Sequence, residues 1–576
     1  MYQAGWSRKE IGIEPRGYAM FGYGMWTHRA RGKQTGLFAR AFHLRDARGG
    51  RPLIFCCLDL GYISHAMREG VVAALRERFG ADFDESTLVM CCTHTHSGPG
   101  GCSHEAMYNI VTPGFVPQHL EAIVKATVDA IVEAAEKAAP TELALTQGAF
   151  DEDIPVAWNR SLRAYNRNPD VTPRLDTETH LAINRGMQVL SFRRDGQVRA
   201  FISIFGVHAT CLGNKLERHD ADNKGYAAVE AEQALSRGGV LDGVAIFAQA
   251  TAGDVSPHFQ GPGDIERRAR IKGDAEYAYA RQNGHHQCER ALSLLGNTVR
   301  TRVDGAIDSI LAYFDFSAIK ADPAYANGQQ DAWTSEPCHG VAFFRGTRVD
   351  GVGMPAIAGV AARFIARMVR RKRLRNLAKY SPEDQAYYQR LYAAQGPKDI
   401  LLESGPRHQI LGNDVAKLPL PDFVDPTIRE MKRQARIGAI KDSELVPTVL
   451  PLQIVVLGPL AIVCCPGEFT TTSGQRLVQG VRERLRARGV EQVLICTYCN
   501  DYMGYVTTNE EYQEQCYEGG HTIFGQWTLA AFQTGFAELA MQLLKPEAER
   551  THDRALRPKP VPAAELALRT DLKVPG

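Results

Sequence analysis

The stretch Val89–Gly101, reading VMCCTHTHSGPGG, constrains this chain more than any other. An apolar run that ends in Gly and Pro predicts a buried strand running into a tight loop. His94 and His96 sit where the strand gives way to the loop. On a strand, side chains at i and i+2 share a face, so this spacing predicts two imidazoles projecting together from the strand mouth. Imidazole is the commonest protein ligand for zinc-like ions and a general acid or base near neutral pH. The same spacing also suits two histidines hydrogen-bonded within a loop, and the rest of the chain has to decide between the two.

At 576 residues the chain exceeds one ordinary core, which predicts one large α/β domain with elaborations or two to three domains. A hydrophobic content of 44% with 23% charged residues is that of a globular protein in water. A formal net charge of +2 gives no general reason to expect nucleic acid or an acidic partner. The opening MYQAGWSRKEIGIEP has no apolar core of a signal peptide, and no apolar run approaches the length needed to span a bilayer. The 13 cysteines include the adjacent pairs Cys56-Cys57, Cys91-Cys92 and Cys464-Cys465 within apolar, strand-like runs. Free cysteine there acts as a small buried hydrophobe, and the cysteines are not read as a zinc-finger or redox motif. A reducing, cytoplasmic compartment is the expectation.

Strands are predicted around 36–61, in two runs joined by Ala47-Arg48-Gly49-Gly50, and again at 141–150, 187–193, 199–207, 243–250, 298–319, 447–465 and 492–499. Helices are predicted at 65–79, 117–139, 265–293, 358–393, from about 474, and at 525–545. This β-α-β rhythm gives an α/β fold, with helices packed on a large mixed sheet. Residues 320–355 read as a long loop, which in a compact domain is often functional. The basic run near 368–379 reads as a solvated helix face, with a weak contact to a membrane surface as the competing reading. The tail after Lys545 is Pro-rich and polar and is expected to wrap the surface.

Four further apolar runs end in reactive side chains: His208 in FGVHAT, Asp254 and Ser256 in GDVSP, Glu468 in PGEF, and Tyr498, Tyr502 and Tyr505 after VLICTYCND. In α/β sheets, sites collect outside the carboxyl ends of strands. His94, His208 and Glu468 can converge there as a His/His/carboxylate set, and three protein ligands with an open water position is the pattern of catalytic zinc. Each residue alone also fits a satisfied polar group in a loop.

The blocks THTHSGPGG (93–101), NRS (159–161), DNKGYAA (222–228), GDVSP (253–257), PGEFTT (466–471) and GYVTTNEEYQEQCYEGG (504–520) occur in the order found in the neutral (neutral/alkaline, non-lysosomal) ceramidase family, and the chain resembles that family from about residue 2 to 545. The family's enzymes are zinc amidases that cleave ceramide to sphingosine and a fatty acid. The resemblance implies Zn2+ as cofactor, with His94, His208, Glu468 and Tyr505 as its ligands. It implies that His96, Arg160 and Tyr517 line the site and hold the scissile amide, and that Ser256 is catalytic or orients the substrate. It implies a mixed-sheet catalytic domain over 1–545, followed by a C-terminal tail over 546–576. The mechanism expected from this set is attack on a ceramide-like N-acyl amide by zinc-bound water, with His96 as the candidate acid for the departing amine.

Alternatives are an amidase of the same mechanism acting on another N-acyl amide, a metal-independent serine hydrolase using Ser256, and a binding protein that has lost catalysis. GDVSP is not the G-x-S-x-G elbow of a serine hydrolase, and with zinc supplying the nucleophile Ser256 is read as a positioning group. The chain departs from the family pattern at His258, where Asn is usual, at FAQATA, and at NRSLRAY in place of NRSP. Cys338 matches a family cysteine that can be disulfide-bonded, yet no other cysteine lies between it and Cys464. The family's secretion signal and C-terminal β-sandwich domain are expected to be absent. The expected partner is a small-molecule or lipid amide, with no nucleic acid.

Overall fold

The computed structural model describes residues 1–112, 114–258, 271–347, 349–423 and 425–570. Among these, nine strands build the main sheet: β1 (Tyr2–Glu10), β2 (Phe38–Asp46), β3 (Leu53–Leu58), β4 (Leu88–Cys92), β5 (Ala139–Ala149), β6 (Gly186–Arg194), β7 (Gln197–Ile204), β8 (Ala245–Ala248) and β9 (Thr301–Val303). Their order is β8-β7-β6-β5-β1-β2-β3-β4, with β9 also paired to β5. A second sheet has the order β10-β11-β12-β13, from Ile307–Asp315, Val449–Leu457, Leu460–Cys464 and Gln492–Cys496. The fold is mixed α/β.

Most neighbours are antiparallel, but three pairs at the sheet margins are parallel: β3/β4, β7/β8 and β12/β13. Strands in parallel pairs are covered on both faces, which suits continuous apolar runs. LIFCCL of β3, LVMCC of β4, AIFA of β8 and LAIVC of β12 are buried throughout.

Helices α1 (His65–Phe79) and α2 (Pro117–Glu136) pack together, with α2 lying on β1 and β2. Helices α3 (Asp222–Arg237) and α4 (Asp274–Gly296) pack together near β8 and β6. Helices α5 (Ala356–Arg375) and α6 (Pro382–Gln395) pack on each other, while α7 (Thr471–Leu485) and α8 (Thr528–Leu543) cover the second sheet. Ser64 caps α1 by accepting from the Met67 N–H, and Pro117 supplies a first-turn residue with no N–H to satisfy. One apolar cluster contains side chains from both sheets. Asn500 ties the sheets together at their mouths. Its Oδ1 accepts from Met90 N at 3.0 Å and Arg68 Nη1 at 2.7 Å, and its Nδ2 donates to Gln453 at 2.7 Å.

Three elements differ from expectation. The helix predicted over 358–393 is two helices, because Ser381 caps a new one through Asp384 N and Pro382 occupies its first turn. The N-terminal strand β1 was not predicted, although all nine of its residues pair with β2. The helix expected over 265–293 is observed from Asp274, and residues 265–270 lie outside the described residues. All 13 cysteines are free, Cys338 included. The tail returns to the body as a short helix, Ala563–Arg569, where Glu565 accepts from Asp442 N and Ser443 Oγ, both at 2.6 Å. Among the described residues no helix is long and apolar enough to cross a membrane.

Candidate active site

The loops after the three parallel pairs meet. Gln249, just past β8, donates to Thr93 O at 2.9 Å and Val207 O at 2.7 Å, tying the ends of β4 and β7. Thr95 and Ala209 then form an isolated parallel bridge. Beyond β12, Glu468–Phe469 pairs in parallel with Tyr505–Val506. Gly253 N donates to Phe469 O at 2.9 Å, and a Cβ on Gly253 would lie 2.7 Å from Glu468 O. Only glycine allows this approach.

His94 does not project from a strand as the i, i+2 argument supposed. β4 ends at Cys92, and His94 has φ +65°, in the left-handed region. The two rings still meet, with 3.1 Å between the Nε2 atoms of His94 and His96, because the chain turns sharply rather than because it alternates. Sparsely populated backbone of this kind persists where surrounding contacts fix it, and it clusters at functional sites. Gly22, at φ +120°, passes so close to the His96 ring that a Cβ there would sit 2.4 Å from its Cγ.

The expected set converges. His94 Nε2 lies 3.4 Å and His208 Nε2 3.0 Å from Glu468 Oε2, and Tyr505 OH lies 3.1 Å from His208 Nε2. His94, His208 and Glu468 are each 1% exposed. The Nδ1 atoms of His94 and His208 each lie 2.6 Å from a backbone carbonyl, Gly61 O and Ala252 O respectively. That contact places the proton on Nδ1 and leaves the Nε2 lone pair facing the cluster.

Tyr498 and Tyr502 donate to the two oxygens of Glu468 at 3.1 and 2.5 Å. Burial opposes ionisation of Glu468, but His94 and His208 hold it well below the usual carboxylate range. Burial, then Arg160, lowers His208, while burial, then His94 and His208, lowers His96 well below the ordinary imidazole value. Burial, then Glu468, raises Tyr505. Ring nitrogens of His94, His96 and His208 also lie close enough to share an ion. His96 lacks the anchoring seen in the other two, since its Nδ1 has no partner among the described residues.

Around this cluster sits a hub absent from the sequence reading, Asp350. It accepts from Ser256 Oγ at 2.9 Å, Arg160 Nη1 at 2.8 Å and Thr210 Oγ1 at 3.1 Å, and His258 Nε2 lies 3.6 Å away. Burial would raise its carboxyl, but Arg160, His258 and His208 hold it below the ordinary range. Arg160 also donates to Glu518 at 2.8 Å, Gly253 O at 2.8 Å and Tyr505 OH at 3.1 Å. Its guanidinium lies 5.5 Å from the Tyr517 ring centre. Asp254, two residues before Ser256, bonds elsewhere, accepting from Asn159 Nδ2 at 2.7 Å and from Thr471 N at 2.8 Å. Asp350 lies in the loop expected to be functional, but its TRVDG context carries no periodic signal. Tyr498 and Tyr502 were visible as strand-end residues, without a role.

By fold and by site this is a mixed α/β protein with an imidazole–carboxylate–phenol centre built at the carboxyl ends of parallel strand pairs. The family model described as neutral/alkaline non-lysosomal ceramidase, N-terminal, matches residues 2–417 and 431–534, and the chain belongs to that family, whose members are amidohydrolases. The neutral ceramidase of Pseudomonas aeruginosa is 32% identical over 548 residues, covering 94% of this chain and 72% of that protein. The neutral ceramidase of Mycobacterium tuberculosis is 30% identical over 552 residues, covering 94% and 77%. A solved ceramidase complexed with C2 aligns with a TM-score of 0.78 at 30% identity, over 98% of this chain and 78% of that one. The crystal structure of neutral ceramidase from Pseudomonas aeruginosa aligns with a TM-score of 0.74 at 29% identity, over 97% and 76%.

Proposed function

We propose that the chain hydrolyses the amide of ceramide or a related N-acyl lipid, releasing a sphingoid base and a fatty acid, with zinc held by His94, His208, Glu468 and Tyr505. The observation that carries this reading is the donor set itself: two Nδ1-anchored imidazoles whose Nε2 atoms face one buried, tyrosine-bonded carboxylate. Such anchoring is the usual support of metal-ligating histidine. When bound, zinc supplies a Lewis acid and brings the pKa of a bound water to about 7.

The remaining work falls to the chain. His96, whose Nε2 faces that of His94 at 3.1 Å, is the candidate acid for the departing amine. Arg160 is held by Asp350, Glu518 and Gly253 O, which fixes the Tyr505 hydroxyl beside it. Tyr517, stacked against that guanidinium, is placed to donate toward the amide oxygen, where one preorganised donor is worth about 3 kcal/mol. Ser256 is a positioning group. Its hydroxyl donates to Asp350 and accepts from His258 N at 3.3 Å, and no imidazole ring bonds its Oγ among the described residues. A serine nucleophile needs an adjacent base, and a carboxylate held as low as Asp350 is a poor one. Residues 1–545 are assigned as the catalytic unit, with 546–576 as its tail.

The test is a hydrolysis screen over N-acyl amides of graded chain length and head group, with and without chelator. Long-chain N-acyl sphingoid bases should be cleaved, chelator should abolish cleavage, and zinc should restore it. His208→Ala should lose bound zinc, measured by metal analysis, together with activity. Cleavage of short soluble amides alone would remove ceramide, and chelator-resistant turnover with an acylated Ser256 would replace the mechanism.

A further inference from the structure

Helix α5 is built inside out. Toward the protein it presents Gly359, Ala362 and Ala366, while its large apolar side chains face solvent: Ile357 is 88% exposed, Val360 68%, Phe364 64% and Met368 45%. At 100° per residue these four fall on one line along the helix, and Arg371, Lys372 and Arg375 continue that line. The outward face is therefore apolar in its first three turns and basic in its last two.

The helix carries seven basic residues and no acidic one. Arg367 is paired with Asp399, and Arg373 with Glu403. Arg371, Lys372 and Arg375 have no ion-pair partner among the described residues, so their charge is directed outward. Beside the basic half opens a cavity of about 370 Å³ lined by Arg370, Arg371, Leu374, Tyr392 and Lys398. None of the site residues lines it.

The apolar end of α5 is also the end that the chain joins to Asp350. Asp350 precedes Ala356 by six residues, so at most ~21 Å of extended chain separates them. Gly351 packs on the Tyr23 ring, and that ring lies 4.8 Å from the His96 ring.

We propose that α5 docks the enzyme on an anionic bilayer, with Ile357, Val360, Phe364 and Met368 entering the interface and Arg371, Lys372 and Arg375 meeting lipid phosphates. Basic and apolar groups on one outward face are the pattern of helices that lie in a membrane interface. Charge selects this occupant over a second copy of the chain. A twofold contact laying two α5 helices antiparallel along their length would press the arginines of each onto the apolar turns of the other, burying them unpaired. Docking this way brings the apolar end of the helix, and with it the Asp350 side of the site, to the surface from which an N-acyl lipid would be drawn. That purpose rests on the proposed substrate, but the docking does not.

The experiment uses the full chain and vesicles free of any N-acyl amide, so it is blind to the hydrolysis reading. Co-sedimentation should show binding to vesicles of phosphatidylcholine with phosphatidylglycerol, weak binding to phosphatidylcholine alone, and release at high salt. Val360→Asp with Phe364→Asp, and separately Arg371→Glu with Lys372→Glu, should each weaken binding at least about tenfold. Both pairs should leave hydrolysis of a soluble short-chain amide and the thermal midpoint unchanged. Phe364→Trp gives a second measurement, a blue-shifted emission on adding the anionic vesicles. Binding untouched by either pair, failure to bind anionic vesicles, an unshifted Trp emission, or a solution dimer that Phe364→Asp dissociates would each overturn the proposal.

Discussion

Ser256 and Asp350 show how little a side chain's identity says until its partners are known. Ser256 looks like a nucleophile in GDVSP, yet its proton goes to a carboxylate that Arg160 keeps ionised. If Ser256 orients substrate, Ser256→Ala should raise KM by about tenfold with a smaller change in kcat, because it removes binding common to ground and transition states. Asp350→Asn should lower kcat as well, since it frees Arg160, Tyr505 and Ser256 together. Breaking the buried Arg160–Asp350 pair should also cost roughly 3–5 kcal/mol of stability. Steady-state kinetics and chemical denaturation of the two variants separate these outcomes, and a Ser256→Ala enzyme with intact KM and no turnover would contradict the positioning role. His94, His208 and Glu468 were legible because each follows an apolar run that breaks at Gly or Pro. Asp350 was not, because a loop residue that gathers four partners from distant segments leaves no periodic mark. Tyr505 came from the family resemblance alone, since a phenol at a strand end has many ordinary explanations.

At the scale of elements, the parallel pairs decide where chemistry can occur. A hairpin returns the chain at once, whereas a strand in a parallel pair releases its carboxyl end into a free loop. Those loops approach so closely that Gly253 has no room for a side chain. Gly253→Ala should therefore push Glu468 and Phe469 outward. A displacement near 1 Å can cost about 100-fold in rate, so kcat should fall by that order while the thermal midpoint moves only a few degrees. Equal losses of activity and stability would mean that the glycine serves the fold rather than the alignment. The strands and helices of the main body were mostly legible from period and punctuation. The break at Ser381-Pro382 carries its capping signal in the sequence, whereas in β1 Gly5 and the charged Arg8-Lys9-Glu10 dilute the alternation.

Across the whole molecule, the neutral histidines buried in the sheets tie stability to pH. His43, on β2, is 9% exposed, and burial, then Arg45, lowers it from 6.5 to about 4. Above pH 6.5 neither the folded nor the unfolded chain protonates it. Between pH 6.5 and about 4 the unfolded chain takes up a proton that the folded chain refuses, so stability falls as pH falls. Below about pH 4 this loss is complete, at about 3 kcal/mol. His43→Leu should flatten the fall of the thermal midpoint over that window, and an unchanged slope would show that other groups govern acid stability.

The meeting of six strand ends from two sheets has one more consequence. His94, His208 and Glu468 are separated from one another along the chain by more than a hundred residues each. No fragment that lacks either sheet contains the site, and no partly assembled chain brings its parts together. Turnover is thus a gauge of complete assembly: a lesion far out in either sheet should reduce the number of working molecules while leaving each survivor with its full rate and its full affinity.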